Sequence, residues 1–391
     1  MGQAPTIVVN RNTPAVVETF SRLGKVIALD TQEVTRESVR NADVLVVRSE
    51  TRVDRGLLEG SRVRFVGTVT IGTDHVDLEY LAANGIGFAS APGSNANSVA
   101  EYIAAALLVW SERTGEALNG KTIGVVGVGN VGSRVVSVAR ALGMNEILND
   151  PPLARKTGDP AFLPLDELMG ADVLTLHVPL ARSGPDATYH LFDESHLSRM
   201  KRGSVLINTA RGAVVETNAL RAMLASKQLS TAILDVWEDE PGIDLALLNN
   251  VMLGTAHIAG YSLDGKLNAL RMVYGELCRY LGVSVEPDVP SSAHPEIGPR
   301  IVVPASIAEE KEVVSFVVRQ AYDIELDDYM LRKVIAVAEG ERGPYFAKLR
   351  AEYRARREFF NRCVELSARQ VGSRAILEKL GFEIAVRRDA R

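Results

Sequence analysis

The sequence predicts an α/β protein with two doubly wound lobes followed by a smaller C-terminal α+β region. Short runs rich in Val, Ile and Leu alternate with segments of helix length through the first two-thirds of the chain. Continuous apolar runs of this kind are typical of parallel strands that are buried on both faces. The chain has 391 residues, well beyond the roughly 250–300 at which a single core stops growing, so more than one domain is expected.

Strands are predicted wherever such a run is bounded by turn residues. The candidates lie at residues 6–10, 25–29, 42–48, 63–68, 121–127, 145–150, 171–178, 203–208, 231–237 and 251–255. A long Ala- and Leu-rich helix is predicted over residues 95–115, between the first group of strands and the second. This helix is expected to cross from one lobe to the other.

The character of the chain changes after residue 284. Prolines that indicate a linker stand at positions 287, 290, 295 and 299. Beyond them, "RIVVPAS" predicts one strand, followed by helical and charged sequence. In "YFAKLRAEYRARREFF" apolar side chains at helical spacing predict an amphipathic helix that covers another surface. They are Phe346, Leu349, Tyr353 and Phe360.

Composition excludes several classes of protein. The net charge of −5 and the pI of about 5.8 provide no electrostatic reason to bind nucleic acid or an anionic membrane. Cys278 and Cys363 are the only cysteines, too few for a disulfide framework or a cysteine zinc site, so a reducing cytoplasm is expected. No apolar run reaches membrane-spanning length, and the first residues lack the apolar stretch of a signal peptide.

A glycine-rich loop lies between a predicted strand and a predicted helix in "IGVVGVGNVGSRVVSVARALG". Gly127 permits a tight turn, Gly129 lets a pyrophosphate approach the backbone, and Gly132 allows close packing of helix on strand. The loop also contains Asn130 and Val131, where the start of the helix presents unpaired N–H groups to phosphates. We therefore predict a dinucleotide site, although a glycine-rich turn without a nucleotide remains the alternative.

Asp150 indicates which dinucleotide is bound. It ends the next strand, 18 residues after Gly132, where a carboxylate would accept hydrogen bonds from a ribose diol. The same carboxylate would repel a 2′-phosphate, which favours NAD over NADP, while Arg155 and Lys156 nearby act in the opposite sense.

Polar residues follow the ends of three later strands: Arg211, Glu240 and His257. Because ligands bind at the carboxyl ends of parallel strands, the three could face one site. Histidine is suited to move the proton of a secondary alcohol, a carboxylate would orient its ring, and a guanidinium would hold a substrate carboxylate. Taken alone, His257 could be a structural residue and Glu240 could start a turn.

A metal site is not expected. His75, His177 and His257 share no spacing that is typical of metal ligands.

These motifs together resemble the D-isomer-specific 2-hydroxy acid dehydrogenases. The resemblance is carried by "GVVGVGNVGSRV", "LINTARGAVVETNAL", "ILDVWEDEP" and "TAHIAGYS". It implies that Arg211, Glu240 and His257 form the active site of an NAD-dependent enzyme that oxidises a 2-hydroxy acid.

A narrower resemblance, to one branch of that family, covers nearly the whole chain. It rests on "VVRSETRV", "FVGTVTIGTDHVD", "GIGFASAPGSNANSVAEY" and "HIAGYSLDGK", and in the tail on "YDIELDDYMLRKV", "LRAEYRARREF" and "EKLGFEI". It implies a small phosphorylated 2-hydroxy acid as substrate, contacted by Ser49, Thr70 and Tyr261. It further implies that Asp150, Asp235 and Gly260 contact NAD. Arg48, with Ser49 and Tyr261, is a candidate for the phosphate, unless it is a surface charge at the end of a strand.

The resemblance also implies a division into domains. Residues 1–98 and 262–286 would form a flavodoxin-like substrate-binding lobe, residues 99–261 a Rossmann NAD-binding lobe, and residues 287–391 a domain through which a homodimer forms. The chain departs from its relatives at Ser94, Val178 and Ala256, none of which would be a reacting group.

Two other functions stay open at this point. One is a related dehydrogenase that acts on 3-phosphoglycerate or on an unphosphorylated 2-hydroxy acid. The other is a corepressor-like protein that binds NAD as a sensor and acts through protein partners.

Overall fold

The structure, a computed structural model, describes residues 4–285 and 300–387. The strands are β1 (Thr6–Asn10), β2 (Lys25–Leu29), β3 (Val44–Val47), β4 (Phe65–Thr68), β5 (Gly87–Ala89), β6 (Thr122–Val126), β7 (Asn145–Asn149), β8 (Val173–Leu176), β9 (Ser204–Asn208), β10 (Leu229–Leu234), β11 (Leu253–Gly254), β12 (Ile301–Val302), β13 (Cys363–Leu366) and β14 (Glu383–Val386). The α-helices are α1 (Val16–Phe20), α2 (Arg36–Val39), α3 (Arg55–Leu58), α4 (Leu78–Ala83), α5 (Ala96–Thr114), α6 (Asn130–Ala141), α7 (Pro151–Thr157), α8 (Glu194–Arg199), α9 (Thr217–Ala225), α10 (Leu245–Asn250), α11 (Leu263–Leu281), α12 (Glu310–Ala321), α13 (Ile324–Arg332), α14 (Arg342–Ala351) and α15 (Arg374–Lys379).

The first of two compact units comprises the described parts of Met1–Asn95 and Ser262–Glu296. Its parallel sheet has the strand order β2-β1-β3-β4-β5. Ile7, Val8 and Val9 on β1 are all fully buried, as expected for a strand covered on both faces. One face packs against α1 and α11, and the other against α3 and α4. The unit is thus doubly wound.

The second compact unit comprises Ala96–Tyr261 and the described part of Ile297–Arg391. Its parallel sheet has the order β11-β10-β9-β8-β6-β7. Helices α5 and α6 cover one face, and α8, α9 and α10 cover the other. These two sheets confirm the predicted fold class.

In each sheet the chain reverses its direction of progress after the second strand, so each sheet has a topological switch point beside its first strand. In the second unit the chain runs from β6 outward to β7 and then returns to β8 on the other side of β6. The crevice at the carboxyl ends of β6 and β8 is where such a sheet binds its ligand. The loops that follow β6 and β8 therefore decide what this unit can bind.

The C-terminal region, residues 300–387, adds a third parallel sheet, β12-β13-β14, and the helices α12 to α15. Its apolar side chains join the core on the α5 face of the second unit; Val313, Val317 and Phe359 are buried in that cluster. The region therefore shares a hydrophobic core with the preceding sheet.

A buried arginine connects this region to the middle of the chain. The Nη2 atom of Arg356, which is 3% exposed, donates hydrogen bonds to the carbonyl oxygens of Ser98 (2.9 Å) and Ala259 (2.8 Å). Its guanidinium also lies over the ring of Tyr322, 4.2 Å from the centroid. Arg356 thus ties the loop that contains Ala259 to α5.

Buried carboxylates complete the connection. Glu358 accepts a hydrogen bond from the Ser98 hydroxyl (2.6 Å), and Glu101 accepts one from the backbone N–H of Phe359 (2.6 Å). Both carboxylates are buried; Glu101 belongs to α5 and Glu358 to the segment 356–359, so their hydrogen bonds join these two elements. A buried charge of this kind is tolerated only while its partners remain in place.

The structure differs from the sequence prediction in the short strands and in the tail. Strand β5 was not predicted, and the single strand expected after residue 300 is the first of three. The tail helix α14 ends at Ala351, so Tyr353 and Phe360 lie beyond it, and Phe359 rather than Phe360 is buried. The predicted linker, apart from Val285, lies outside the described residues.

Neither of the two cysteines is in a disulfide; Cys278 is buried and Cys363 is partly exposed. Among the helices in the described ranges, none combines the length and the apolar character that a membrane crossing requires.

We expect Arg356→Met to lower the free energy of unfolding by about 3–5 kcal/mol, because it leaves two carbonyl groups and nearby buried carboxylates without their cation. The measurement is the shift of the denaturant midpoint. The control is Arg374→Met, which breaks an exposed pair with Glu378 (2.7 Å) and should cost no more than about 1 kcal/mol. Equal shifts for the two variants would contradict the structural role of Arg356.

Candidate active site

The glycine-rich loop lies at the switch point of the second sheet. Gly127 has φ +85°, and a Cβ atom there would lie 2.8 Å from the carbonyl oxygen of His177, just after β8. A Cβ atom on Gly132 would lie 2.0 Å from the carbonyl oxygen of Gly127. Since neither position can accept a side chain, the loop and α6 approach the sheet as closely as a dinucleotide fold requires.

The outer side of the loop is open. A Cβ atom on Gly129 would meet nothing within 4 Å, and α6 begins at the next residue, Asn130. Asn130 is exposed and Val131 is half-buried, so the first turn of the helix is accessible to a pyrophosphate. The residues present therefore fit a dinucleotide, while the individual contacts of Asn130 and Val131 with NAD stay predictions.

Asp150 has a structural role that the sequence did not indicate. One carboxylate oxygen accepts the backbone N–H of Val128 (2.8 Å), and the other accepts that of Leu153 (2.9 Å) at the start of α7. Each oxygen keeps a further lone pair for a ribose hydroxyl. Arg155, a nearby cation that could have favoured the 2′-phosphate of NADP, forms an ion pair with Asp186.

The candidate catalytic histidine is paired with the predicted glutamate. His257 Nδ1 lies 2.8 Å from Glu240 Oε2, and Glu240 Oε1 accepts the backbone N–H of Trp237 at 2.8 Å. The indole N–H of Trp237 in turn donates to the carbonyl oxygen of Thr255 (2.9 Å). Two contacts thus connect the loop after β10 with the loop after β11, and the histidine–glutamate contact is one of them.

Asp235 holds the backbone that presents the histidine. Its carboxylate is 1% exposed and accepts hydrogen bonds from the Thr255 hydroxyl (2.6 Å) and from the N–H groups of Ile258 (2.8 Å) and Ala259 (2.9 Å). Its carbonyl oxygen accepts the N–H of His257 (2.7 Å), which has a left-handed φ of 56°. The resemblance assigned Asp235 to NAD; in the structure it also fixes the histidine loop, and its contact with NAD stays a prediction.

Arg211 is brought to the same edge of the sheet by the glycine that follows it. A Cβ atom on Gly212 would lie 1.9 Å from the carbonyl group of Trp237, so the loops after β9 and β10 meet backbone to backbone. Arg211 is half-buried. Its carbonyl oxygen accepts a hydrogen bond from the Asn208 side chain (3.0 Å), and its Nη1 atom donates one to the carbonyl oxygen of Ala210 (2.8 Å). The segments that carry the predicted trio are therefore neighbours.

The surroundings shift the pKa values of half-buried Glu240 and buried Asp235 in opposite directions. Burial acts to raise the pKa of Glu240, but the adjacent His257 and the N–H of Trp237 outweigh it, so the pKa lies below its usual value. For Asp235, burial dominates and raises the pKa in spite of the hydrogen bonds that it accepts. Glu240 is consequently ionised at neutral pH and available to a histidine that gains a proton.

Ser49 and Thr70, the predicted substrate contacts of the first unit, follow the neighbouring strands β3 and β4. Ser49 is exposed. The Thr70 hydroxyl lies 2.7 Å from that of Thr68 and donates to the carbonyl oxygen of Gly72 (3.0 Å). Within this unit the structure places both residues at the carboxyl edge of the sheet, where a ligand would bind.

Arg48 is not a surface charge. Its side chain is 14% exposed, lies 3.6 Å from Glu50, and donates a long hydrogen bond to the carbonyl oxygen of Asn12 (3.4 Å). A guanidinium so covered by protein is more suitable for an anionic ligand than a solvated one, and Arg48 stays a candidate for the phosphate.

Tyr261 belongs to the second unit, where it directly follows Gly260. Its hydroxyl accepts a hydrogen bond from Nη2 of Arg350 on α14 (3.1 Å), and its ring packs edge-on against Tyr353, with centroids 6.0 Å apart. Nothing in the sequence around Tyr261 indicated these partners, because the two residues come from the C-terminal region almost a hundred positions later.

The three positions at which the sequence was expected to depart from its relatives are all wholly or partly buried. Ala256 is 3% exposed and Ser94 is 9% exposed. Val178 is half-buried, and its Cγ1 would lie 2.9 Å from a Cβ atom on Gly127. Val178 thus packs against the glycine loop by its apolar side chain.

His190 and Glu238 form a second histidine–glutamate pair that sequence reasoning missed. His190 Nε2 lies 2.5 Å from Glu238 Oε1, and Glu238 Oε2 accepts the N–H of Thr217 (3.0 Å). Glu238 stands two residues before Glu240, so the same short segment binds two histidines. Within residues 4–285 and 300–387, no group of three or more His, Cys, Asp or Glu is arranged to hold a metal ion.

Two parts of the chain match known protein families. Residues 97–259 match the family described as D-isomer specific 2-hydroxyacid dehydrogenase, NAD binding domain. Residues 300–381 match a family described as a domain of unknown function (DUF3410).

Known proteins and solved structures are similar to this chain over most of its length. The erythronate-4-phosphate dehydrogenase of Salinibacter ruber is 47% identical over 363 residues, which are 90% of this chain and 92% of that protein. The enzyme of the same name from Chromohalobacter salexigens is 44% identical over 97% of this chain and 98% of its own. The crystal structure of D-lactate dehydrogenase from Aquifex aeolicus, complexed with NAD and lactic acid, is 27% identical and superposes with a TM-score of 0.58 over 71% of this chain and 95% of that one.

A glycine-rich loop that fits a dinucleotide and a histidine paired with a carboxylate lie at one edge of a parallel sheet, which is the arrangement that hydride transfer to NAD requires. The protein is an NAD-dependent dehydrogenase. It belongs to the D-isomer-specific 2-hydroxyacid dehydrogenase family, as its similarity to these relatives over nearly the whole length shows. The resemblance seen in the sequence, the fold class and NAD as cofactor are thereby confirmed.

A histidine at the switch point should make stability depend on pH. The ring of His177 lies 3.0 Å from the Thr175 hydroxyl and 3.3 Å from that of Thr209, and burial lowers its pKa from 6.5 to about 3. Between pH 6.5 and 3 the unfolded chain binds a proton that the folded chain does not. The free energy of unfolding therefore falls with decreasing pH, by up to about 1.4 kcal/mol per pH unit from this residue.

We expect His177→Gln to remove this contribution. The thermal unfolding midpoints of wild type and variant, measured from pH 7.5 to pH 4.5, should then converge as the pH falls. A constant difference over that range would show that His177 does not stay neutral in the folded protein.

Proposed function

We propose that the protein oxidises 4-phospho-D-erythronate at C2 to 2-oxo-3-hydroxy-4-phosphobutanoate with NAD, a step of pyridoxal phosphate (vitamin B6) biosynthesis. The observation that carries the mechanism is the contact of 2.8 Å between His257 Nδ1 and Glu240 Oε2, in the same unit as the nucleotide loop. The substrate is supported by the names of relatives that are 47% and 44% identical over at least 90% of this chain.

The proton of the C2 hydroxyl is assigned to His257. Because Nδ1 faces Glu240, Nε2 is the ring nitrogen left to take a proton from substrate. Ionised Glu240 favours the imidazolium that results, and the hydrogen bond from Trp237 keeps its carboxylate in place. NAD, when bound, supplies the acceptor for the hydride that leaves C2.

Arg211 and the turn after β4 are assigned to the substrate carboxylate. A guanidinium can bind a carboxylate through two parallel hydrogen bonds, which would orient C2 as well as provide affinity. Backbone N–H groups of the turn at residues 68–73, other than that of Val69, which donates to Val47, would contribute further donors, and Thr70 would contact the substrate beside them. The phosphate would be bound by Arg48, Ser49 and Tyr261.

The domain roles expected from the sequence are part of the proposal. Residues 1–98 and 262–286 would bind the substrate, residues 99–261 would bind NAD, and residues 287–391 would form the homodimer. Apolar side chains exposed on the described C-terminal residues support the last point: Leu326, Tyr329, Ile335, Phe360 and Val371. The unpaired state of Cys278 and Cys363 agrees with a cytoplasmic location.

The decisive test is NADH formation by the purified protein with a panel of hydroxy acids at equal concentration. We expect kcat/KM for 4-phospho-D-erythronate to exceed that for 3-phosphoglycerate, D-glycerate or D-lactate by a factor of about 10–100, since one charged group left without its partner costs about 1.5–3 kcal/mol. A preference for any of the other acids would reject the proposed substrate. NAD binding without any turnover would favour the sensor instead.

We expect His257→Ala to reduce kcat by a factor of about 100–10,000, the usual range for losing a general acid or base, while the affinity for NAD is retained. Stopped-flow NADH formation and calorimetric NAD titration measure the two quantities. The control is His196→Ala, which removes a histidine of helix α8 that also pairs with a carboxylate, Asp193 Oδ1 at 2.9 Å. An equal loss of NAD affinity in the His257 variant would be evidence against this division of roles.

A further inference from the structure

Arg350, on helix α14 of the C-terminal region, contacts a residue of the candidate active site, Tyr261. Nη2 of Arg350 donates a hydrogen bond to the Tyr261 hydroxyl at 3.1 Å, and the guanidinium carbon lies 5.7 Å from the centroid of the tyrosine ring. Arg350 is half-buried. It therefore makes both a polar and a cation–π contact with a residue that the proposed function assigns to the substrate.

The tyrosine ring is held on another side by the same region. The rings of Tyr261 and Tyr353 are nearly perpendicular, at 79°, with centroids 6.0 Å apart. The Tyr353 hydroxyl donates to Asp327 Oδ2 (2.7 Å), and Asp327 also binds Arg354. Tyr261 thus contacts both Arg350 and Tyr353, so residues far along the chain form its surroundings.

The donor on Tyr261 decides what the tyrosine can offer a ligand. A phenol oxygen that accepts a hydrogen bond from a cation still has its own O–H to donate. Hydrogen bonds in such a chain polarise one another, so an O–H backed by a guanidinium is a stronger donor to an anionic oxygen. Arg350 would therefore turn a mobile hydroxyl into an oriented donor.

Arg350 has only a small influence on the catalytic pair. Burial acts to raise the pKa of Glu240, while His257, Trp237 and, least of all, the charge of Arg350 act to lower it. Removing the arginine should therefore leave the pair of His257 and Glu240 essentially unchanged.

We propose that Arg350 is a positioning residue, through which the C-terminal region orients the Tyr261 hydroxyl toward the substrate. The inference rests on the proposed function for the identity of the substrate and for the role of Tyr261. It assigns to the C-terminal region a part in substrate affinity in addition to the buried contacts that stabilise the fold.

The experiment compares full-length wild type with Arg350→Gln, Arg350→Lys, Tyr261→Phe and the Arg350→Gln/Tyr261→Phe double variant. The matched control is Lys348→Gln, on the same helix, where an exposed lysine lies 3.9 Å from exposed Glu352. For each protein, kcat, KM for 4-phospho-D-erythronate, Kd for NAD and the thermal midpoint are measured.

We expect Arg350→Gln to raise KM for the substrate by a factor of about 10–100, the cost of one hydrogen bond that involves a charged group. Because the reacting groups remain, kcat should change by less than about threefold, and Kd for NAD should not change. Arg350→Lys should recover most of the affinity. The double variant should be no worse than Tyr261→Phe alone, because the arginine acts through the hydroxyl that is already missing.

The outcomes separate the inference from the proposed function. If wild type prefers another hydroxy acid, the proposed substrate fails, and the variants are compared with the preferred acid instead. With an active wild type, an unchanged KM in Arg350→Gln overturns the inference, and so do additive effects in the double variant. Parallel losses of kcat, NAD affinity and thermal midpoint would indicate a purely structural role and overturn it as well. If Arg350→Gln does not fold, Arg350→Met and its combination with Tyr261→Phe provide the same comparison.

Discussion

The candidate active site depends on one buried carboxylate, that of Asp235. It accepts three hydrogen bonds from the loop at residues 255–259, and its carbonyl oxygen accepts a fourth from His257. A carboxylate buried to 1% exposure is expensive to desolvate, and these donors offset the cost only in one loop conformation. The same requirement holds His257 at a left-handed φ and directs its ring to Glu240. The orientation of the reacting group is therefore part of the stability of the fold.

Glycine allows the loops at the carboxyl edge of the sheet to come together. At Gly212 the loop after β9 touches the backbone of Trp237, and at Gly127 the loop after β6 touches that of His177. A side chain at either position would have to displace backbone, not a flexible neighbour. These close contacts place the nucleotide loop, the loop with Arg211 and the loop with Glu240 along one crevice, although they are far apart in the sequence.

The C-terminal region is bound to this edge by buried charge. Arg356 hydrogen-bonds the carbonyl oxygen of Ala259, one residue before Gly260, and Arg350 reaches Tyr261, one residue after it. The loop that carries His257 therefore lies between Asp235 on the sheet side and two arginines on the C-terminal side. This arrangement connects the stability of the C-terminal region with the geometry of the candidate site.

Much of the molecule could be predicted from local patterns. The apolar runs located every strand of the two large sheets except β5, and the glycine spacing located the nucleotide loop, because burial on both faces and close backbone approach each restrict the residue types directly. The residue types after the strands indicated Arg211, Glu240 and His257. Only the tertiary structure decided that Asp150 binds Val128, that Asp235 is buried beneath the histidine loop, that Phe359 rather than Phe360 is buried, and that Arg350 reaches Tyr261. These contacts join residues that are distant in the chain, and a side chain's partner across such a distance leaves no periodicity in the sequence.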